Sequence, residues 1–338
     1  MRKVLIFGAT GTIGAYAAVH LKGLGYSIIA SGKRETDNGF FLDYGIEYLP
    51  ADITDRSDLS KFDGLNIDAI IHCAGMMPAK MEGYEPQKYI DSIIIGTHNI
   101  LELTRKNNVP KIIFTQTRAD STYLMGTKTP VSSDIERRFP LMGDHAVYAI
   151  CKNAAVDFIE HYFHQHGLSR FVLRLPTIYA YHPDPYFYVD GKKKMMAYRY
   201  MIERASNGDK IELWGDPNME KEIVSVRDLC QIFEKCVESP LPGGIYNVGR
   251  GEGVTLEEQV KGIISVFGRS NNKSVIEYRP DMPNSRQFIH DISKTKEQLG
   301  YEPRYDYISL LLDFKKEMEE ERFSKLWGKM KDYGTVIG

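Results

Sequence analysis

The sequence predicts an α/β protein built on a doubly wound parallel sheet, with a smaller and irregular C-terminal part. Three observations carry that reading. Short runs of apolar, largely β-branched residues recur along the first half of the chain, with helical patterns between them. Those runs are apolar throughout instead of alternating, as strands covered on both faces must be. The first run is followed by glycines at three-residue spacing that open a helix, a turn suited to a strand–helix junction.

The elements follow in order. "KVLIF" (3–7) is the first strand, and "GAYAAVHLKGLG" (14–25) is a helix with a glycine stop. "SIIAS" (27–31), "IEYLPAD" (46–52), "DAIIHCAG" (68–75), "KIIFTQT" (111–117) and "FVLRL" (171–175) are predicted as the next five strands. Long helices are expected near 85–107 and 146–166. The segment "TIYAYHPDPYFYVDGKKK" (177–194) is rich in proline and tyrosine and reads as a loop over a cleft. A helix over 195–207, strands at "IELWG", "IVSVRD" and "GIYNVG", and a helix over 256–268 complete the pattern. In the tail (308–332) an apolar stripe from Leu311 to Met330 predicts a helix that packs on the core or a partner. Residues 1–178 plus 223–250 are assigned to the larger domain, and 179–222 plus 251–338 to a substrate-binding part.

Bulk properties narrow the function. A net charge of −2 gives no global field for nucleic acid or an anionic membrane. No run of 18 apolar residues is present, so no membrane span is expected. "MRK" is followed at once by a glycine-rich strand–turn, which is not a secretory signal. Cys73, Cys151, Cys230 and Cys236 lack zinc-ligand spacing and read as free thiols. The expected location is cytoplasmic. His161 and His164 share a helix face without a third ligand of suitable spacing, so no metal is expected.

The turn "IFGATGTIGA" carries Gly8, Gly11 and Gly14. Gly8 permits the tight turn, Gly11 lets backbone amides approach a pyrophosphate, and Gly14 lets helix and strand pack closely. The helix N-terminus adds partial positive charge. Thr10, Thr12 and Ile13 complete this cofactor cradle of a Rossmann-type fold. At the end of the second strand, where an acid would bind the adenine ribose of NAD, Gly32 stands, followed by Lys33 and Arg34. That basic pair would attract a 2′-phosphate, so NADP is favoured over NAD.

"YAICK" places Tyr148 four residues before Lys152, one helical turn apart. A free phenol titrates too high to act as a base near neutrality; a nearby ammonium favours the phenolate.

These motifs resemble the short-chain dehydrogenase/reductase superfamily, whose glycine spacing is G-x-x-G-x-x-G and whose catalytic pair is Y-x-x-x-K. Over nearly the whole chain the likeness extends to the extended branch, the NAD-dependent epimerase/dehydratase family. "PADITD" (50–55) resembles its adenine-contacting segment, with Asp52 and Ile53 in place. "IIHCAG" (70–75) resembles the motif beside the cofactor, which implies cofactor contacts from Cys73, Ala74 and Gly75. "LRLPTIYA" (173–180) resembles the segment after the sixth strand, implying Pro176 at the cofactor and Thr177 at the substrate. Further landmarks are "GTHNILEL", "GIYNVGRGEGVTLEE" and "DISKTKEQLGYEP". The resemblance implies that Tyr148 is the general acid/base, Lys152 its activator and cofactor ligand, and Thr117 the companion hydroxyl. Lys221 and Arg286 stand where anion-binding residues for substrate are expected.

The sequence also departs from that pattern. Thr117 is followed by Arg118, Ala119 and Asp120 in place of the Asp-Glu pair of dehydratases, so dehydration is disfavoured. Ile93 replaces an asparagine of the fourth helix. The resulting expectation is an NAD(P)-dependent oxidoreductase or epimerase acting on a nucleotide-linked sugar, by 4-epimerisation or 4-keto reduction. The alternative is an NADPH-dependent reductase of a non-sugar carbonyl, its apolar pocket lined by the tyrosine-rich loop 179–188. A homodimer through the helices near 85–107 and 146–166 is implied by the resemblance.

Overall fold

Seven parallel strands form the centre of the molecule, a computed structural model that describes residues 1–334 apart from Met81, Lys128, Asp144 and Asp190. They are β1 (Lys3–Phe7), β2 (Ser27–Ser31), β3 (Glu47–Tyr48), β4 (Ala69–His72), β5 (Lys111–Thr117), β6 (Ser169–Leu175) and β7 (Gly243–Asn247). Their order is β7-β6-β5-β4-β1-β2-β3. From β1 the chain steps outward first to one side and then to the other. The switch falls between β1 and β4, in register through Phe7 and His72, and leaves a crevice at their C-terminal ends.

The unbroken apolar runs are explained by cover on both faces. On one side lie helix α1 (Thr12–Gly23) and the helix Val226–Glu238, around a core that includes Ala17, Leu21, Cys230 and Phe233. On the other lie α2 (Gly96–Lys106) and α3 (Ala146–His166), around Ile100, Leu101, Val156 and Ile159. A third cluster joins Tyr179, Tyr181, Ile211, Leu213, Ile263 and Phe314 in the C-terminal half.

Several elements differ from expectation. The run 46–52 pairs only over Glu47 and Tyr48, since Pro50 has no N–H to extend a ladder. The helix expected over 85–107 is interrupted by a π-helical stretch at Ile90–Ile95. It brings Ile93 against Gly75, with Cγ1 only 3.1 Å from where a Cβ would stand. In "IVSVRD" only Ile223–Ser225 is strand, because the Ser225 hydroxyl accepts from the Arg227 N–H and caps the helix that follows. The segment 177–194 contains a strand, Thr177–Tyr179, and a hairpin of Tyr186–Val189 with Lys192–Met195. Its Tyr179, Tyr181 and Tyr186 are buried, so they do not line an open apolar pocket.

The tail is not one helix. Tyr307–Glu320 ends at Glu321, whose φ of 45° breaks the helix. The chain then turns back over the N-terminal half. Phe323 stacks on Trp327 at 4.4 Å and packs on Tyr16 at 4.5 Å. The Trp327 indole N–H donates to the Thr10 carbonyl at 2.9 Å. Arg34 donates to the Leu326 carbonyl at 2.6 Å, and Asn38 to that of Lys325 at 2.9 Å.

At the sheet edge, Gly243 enters β7 with φ of 85°, and an added Cβ would lie 1.7 Å from the Arg170 carbonyl oxygen. Gly243→Ala should therefore lower the unfolding free energy by at least about 2 kcal/mol in urea denaturation. An unchanged midpoint would mean that β7 can shift freely.

Candidate active site

The crevice is built from the ends of β1, β4 and β5. Gly8 adopts φ of 81°, and an added Cβ would meet the Ala74 nitrogen at 2.6 Å. The β1 and β4 loops thus touch at the switch point, which brings the turn of Gly8 to Gly14 beside Cys73, Ala74 and Gly75. Gly14 has its Cα so close to the turn that a Cβ would stand 2.2 Å from the Gly8 oxygen. Gly11 is the N-cap of α1, and no side chain caps that helix. Its first N–H groups are left for an anion, and the residues here fit a dinucleotide pyrophosphate. Thr10 turns its side chain toward Gly32, where a Cβ would meet Oγ1 at 2.6 Å.

The segment after β3 borders the same crevice. Asn99 of α2 donates to the Ile53 carbonyl at 2.9 Å. Asp52 accepts from the Thr54 amide and hydroxyl and pairs with Lys33 at 2.7 Å. The expected 2′-phosphate pair is therefore divided between other bonds: Lys33 meets Asp52, and Arg34 meets the Leu326 carbonyl.

Thr117 and Tyr148 meet at the end of β5, where Lys152 also makes its contact. Thr117 lies in register with Leu175 of β6, and its Oγ1 accepts from the Ala119 N–H at 3.2 Å. Burial raises the Tyr148 phenol to about 12, and a hydrogen bond with Thr117 works against that rise. Lys152 is buried one turn on. Its ammonium donates to the Thr115 carbonyl at 2.7 Å and lies 4.4 Å from the centre of the Phe114 ring. Burial lowers its pKa to about 8. Its hydrogen bond is thus with β5, while Thr117 is the side chain that acts on the Tyr148 phenol.

Beyond Thr117 the chain forms a tight 3-10 turn, Arg118–Leu124. Asp120 points inward, into a buried pair with Arg174: Nε and Nη2 both reach its carboxylate at 2.9 Å. The same guanidinium donates to the Ser133 carbonyl and to Asn247. Asp120 is thereby withheld from acid chemistry in the cleft. Asn247, fully buried, donates onward to the carbonyls of Val131 and Asp291.

A separate open cavity of about 780 Å³ lies in the C-terminal half, with Met201, Glu212, Trp214, Lys221, Leu256 and Ser285 among its lining. The Ser285 hydroxyl is buried without a partner among the described residues. Lys221 bridges to Phe288 through the backbone, two residues from Arg286. Thr177 is exposed and pairs with Ile223, which places Pro176 and Thr177 beside Glu222. Trp214 and Ser285 line that cavity and Arg118 follows Thr117 directly, and the sequence singled out none of the three for a site. For Arg118 the signal was its place directly after Thr117.

A nucleotide cradle at a switch point, serviced by a tyrosine, a lysine and a threonine from adjoining elements, defines an enzyme of the short-chain dehydrogenase/reductase class. A model of the NAD-dependent epimerase/dehydratase family matches residues 4–249, and the chain belongs to that family. Among similar proteins, the UDP-glucose 4-epimerase of Rhizobium meliloti is 23% identical over 318 residues, covering 91% of this chain and 94% of that protein. The UDP-glucuronate 4-epimerase of Thermodesulfobacterium geofontis is 25% identical over 259 residues, covering 76% of this chain and 74% of its own length. Of the solved structures, UDP-glucose 4-epimerase from Thermotoga maritima with UDP-glucose superposes with a TM-score of 0.75. It is 22% identical and covers 94% of this chain and 99% of that one. UDP-glucuronic acid 4-epimerase from Bacillus cereus, in complex with NAD, gives 0.70 at 21% identity, with coverage of 94% and 99%. At these identities the structural likeness speaks for the fold.

The buried Arg174–Asp120 pair makes a testable demand. Asp120→Ala leaves a guanidinium out of water without its counter-ion, which should cost about 3–5 kcal/mol of stability. Urea denaturation measures it; a loss under about 1 kcal/mol would show that the pair contributes little.

Proposed function

We propose that the protein is an NAD-dependent epimerase acting at C4 of a nucleotide-linked sugar. The observation that carries this reading is the convergence of Tyr148 and Thr117 at the end of β5, in a chain that also holds a separate, largely apolar cavity of about 780 Å³ with Trp214 and Lys221 in its wall. Relatives and structural neighbours named as UDP-sugar 4-epimerases, several solved with NAD, support it. The Gly8-to-Gly14 turn would hold the cofactor's pyrophosphate, with Asp52 and Ile53 toward its adenosine end. Cys73 to Gly75, Lys152 and Pro176 would lie toward the nicotinamide. When bound, that ring takes a hydride from the substrate carbon and returns it.

The protein's own part is to manage the proton and the sugar. Tyr148 takes the proton of the C4 hydroxyl as the carbon is oxidised and gives it back as the ketone is reduced. Thr117 hydrogen-bonds the same oxygen. A phenol held near 12 needs positive charge to ionise near neutrality; the role falls to Lys152, one helical turn on, once its ammonium exchanges the Thr115 carbonyl for the cofactor and substrate side. Inversion requires the keto-sugar to present its other face before reduction. Trp214 would stack on the base, and Lys221 and Arg286 would meet the diphosphate. Residues 179–222 and 251–338 form the substrate part in this reading. Exposed Ile95, Ile150 and Phe158 support self-association through the helices near 85–107 and 146–166.

A second reading is NADPH-dependent reduction of a 4-keto sugar. Lys33 favours it: its side chain is 80% exposed and its pairing with Asp52 is a surface ion pair, weak enough to be exchanged for a phosphate. Arg34, held at the Leu326 carbonyl, favours NAD. The burial of Tyr179 and Tyr181 weighs against a non-sugar carbonyl substrate.

Release of copurified cofactor should yield NAD, and the purified protein should interconvert C4 epimers of a UDP-sugar. Tyr148→Phe should lower kcat about 10³-fold with cofactor content and melting temperature preserved. Turnover that survives this change would sink the assigned chemistry.

The pH dependence follows from Lys152. Its ammonium is present below pH 8 and lost as pH rises through that value, so kcat/KM should fall on the alkaline side. Lys152→Arg, charged throughout, should move that limb upward. A wild-type profile flat to pH 9.5 would mean that the charge of Lys152 is not used.

A further inference from the structure

Arg118 is a cation beside Thr117 to which the nucleotide reading gives no role. It begins the turn directly after Thr117, so it adjoins the group assigned to the reacting oxygen. Its guanidinium makes no hydrogen bond and no ion pair among the described residues. Burial lowers its affinity for its proton, and Glu222 opposes that effect from a distance. Glu222 itself is saturated: it accepts from the Arg250 and Gly251 amides on one oxygen and from the His290 amide and ring on the other. It has no lone pair directed at Arg118 to spare.

The neighbourhood adds more positive charge. The Gly126 amide donates to the Gln287 carbonyl at 2.7 Å, which ties the turn after Thr117 to the segment carrying Arg286. Lys221 bridges to Phe288 on that same segment, and its ammonium is depressed by burial first and by the nearby Arg118 second. Neither Lys221 nor Arg286 has a carboxylate partner among the described residues. Arg118 therefore lies near Lys221, which is tied to the segment that carries Arg286, and none of the three forms an ion pair among the described residues. A nucleoside diphosphate brings one charge on each phosphate, which Lys221 and Arg286 can meet. Arg118, next to Thr117, would still face the sugar. A partly desolvated guanidinium is costly unless an anion meets it.

Building on the nucleotide-sugar reading, we propose that the sugar is a hexuronate and that Arg118 binds its carboxylate. In a hexuronate the carboxylate is carried on C5, the ring neighbour of the reacting C4. An arginine adjoining the C4 oxygen site can reach it with the planar, two-pronged geometry that carboxylates favour. A neutral hexose has only a hydroxymethyl group there, which leaves the guanidinium unpaired.

Calorimetric titration of the purified protein with UDP, UDP-glucose and UDP-glucuronate tests this. The wild type should bind UDP-glucuronate at least about tenfold more tightly than UDP-glucose. Arg118→Gln should bring that ratio close to one, and Arg118→Lys should keep most of it. A wild-type ratio near one, or a ratio that Arg118→Gln leaves intact, overturns the carboxylate assignment while UDP binding still stands. Failure of UDP and both sugars to bind overturns the nucleotide-sugar reading itself, and this assignment with it.

Discussion

The guanidinium of Arg174 has no contact with water, and the substrate edge is organised around it. It joins β6, the turn after β5, the loop at Ser133 and the end of β7. A charge at that depth is tolerated only because every direction it points in meets an acceptor. Its carboxylate partner, Asp120, fixes the turn that begins with Thr117 and Arg118. Thr117 and Arg118 are thus positioned by a pair that is itself buried. The same pair ties up the only acid in that turn, which agrees with the proton role proposed for Tyr148.

The strands and their order were legible because parallel strands buried on both faces carry unbroken apolar runs, and "KVLIF" and "KIIFTQT" have no other comfortable home. The glycine turn was legible because its constraint is local: Gly8 needs its positive φ, and Gly14 cannot hold a Cβ. The break in the tail at Glu321 was not, since neither glycine nor proline marks it and the residue is bent by what Phe323 and Trp327 pack against. The π-helical turn at Ile90–Ile95 hides in the same way behind a run of isoleucines.

For the site, residue types were readable and partnerships were not. Arg34 looked free for a phosphate because its acceptor, the Leu326 carbonyl, is 292 positions away. Asp120 gave no sign that it would be buried, since its partner sits on another strand. The reverse holds for Arg118. A sequence cannot show that a charged group lacks a partner; only the packed chain reveals which cations remain uncompensated. The tyrosines after β6 suggested an apolar pocket by composition, yet stacking of Tyr179 on Tyr198 at 4.3 Å consumes that surface in the core.

The bond from Trp327 to the Thr10 carbonyl spans 317 positions. A turn whose own constraints are local is therefore completed by a segment far from it in sequence. The nascent chain can form the strands around the glycine turn before that segment emerges, yet this wall of the turn is added only once the stretch around Trp327 has been synthesised. Until then the turn stays open on that side.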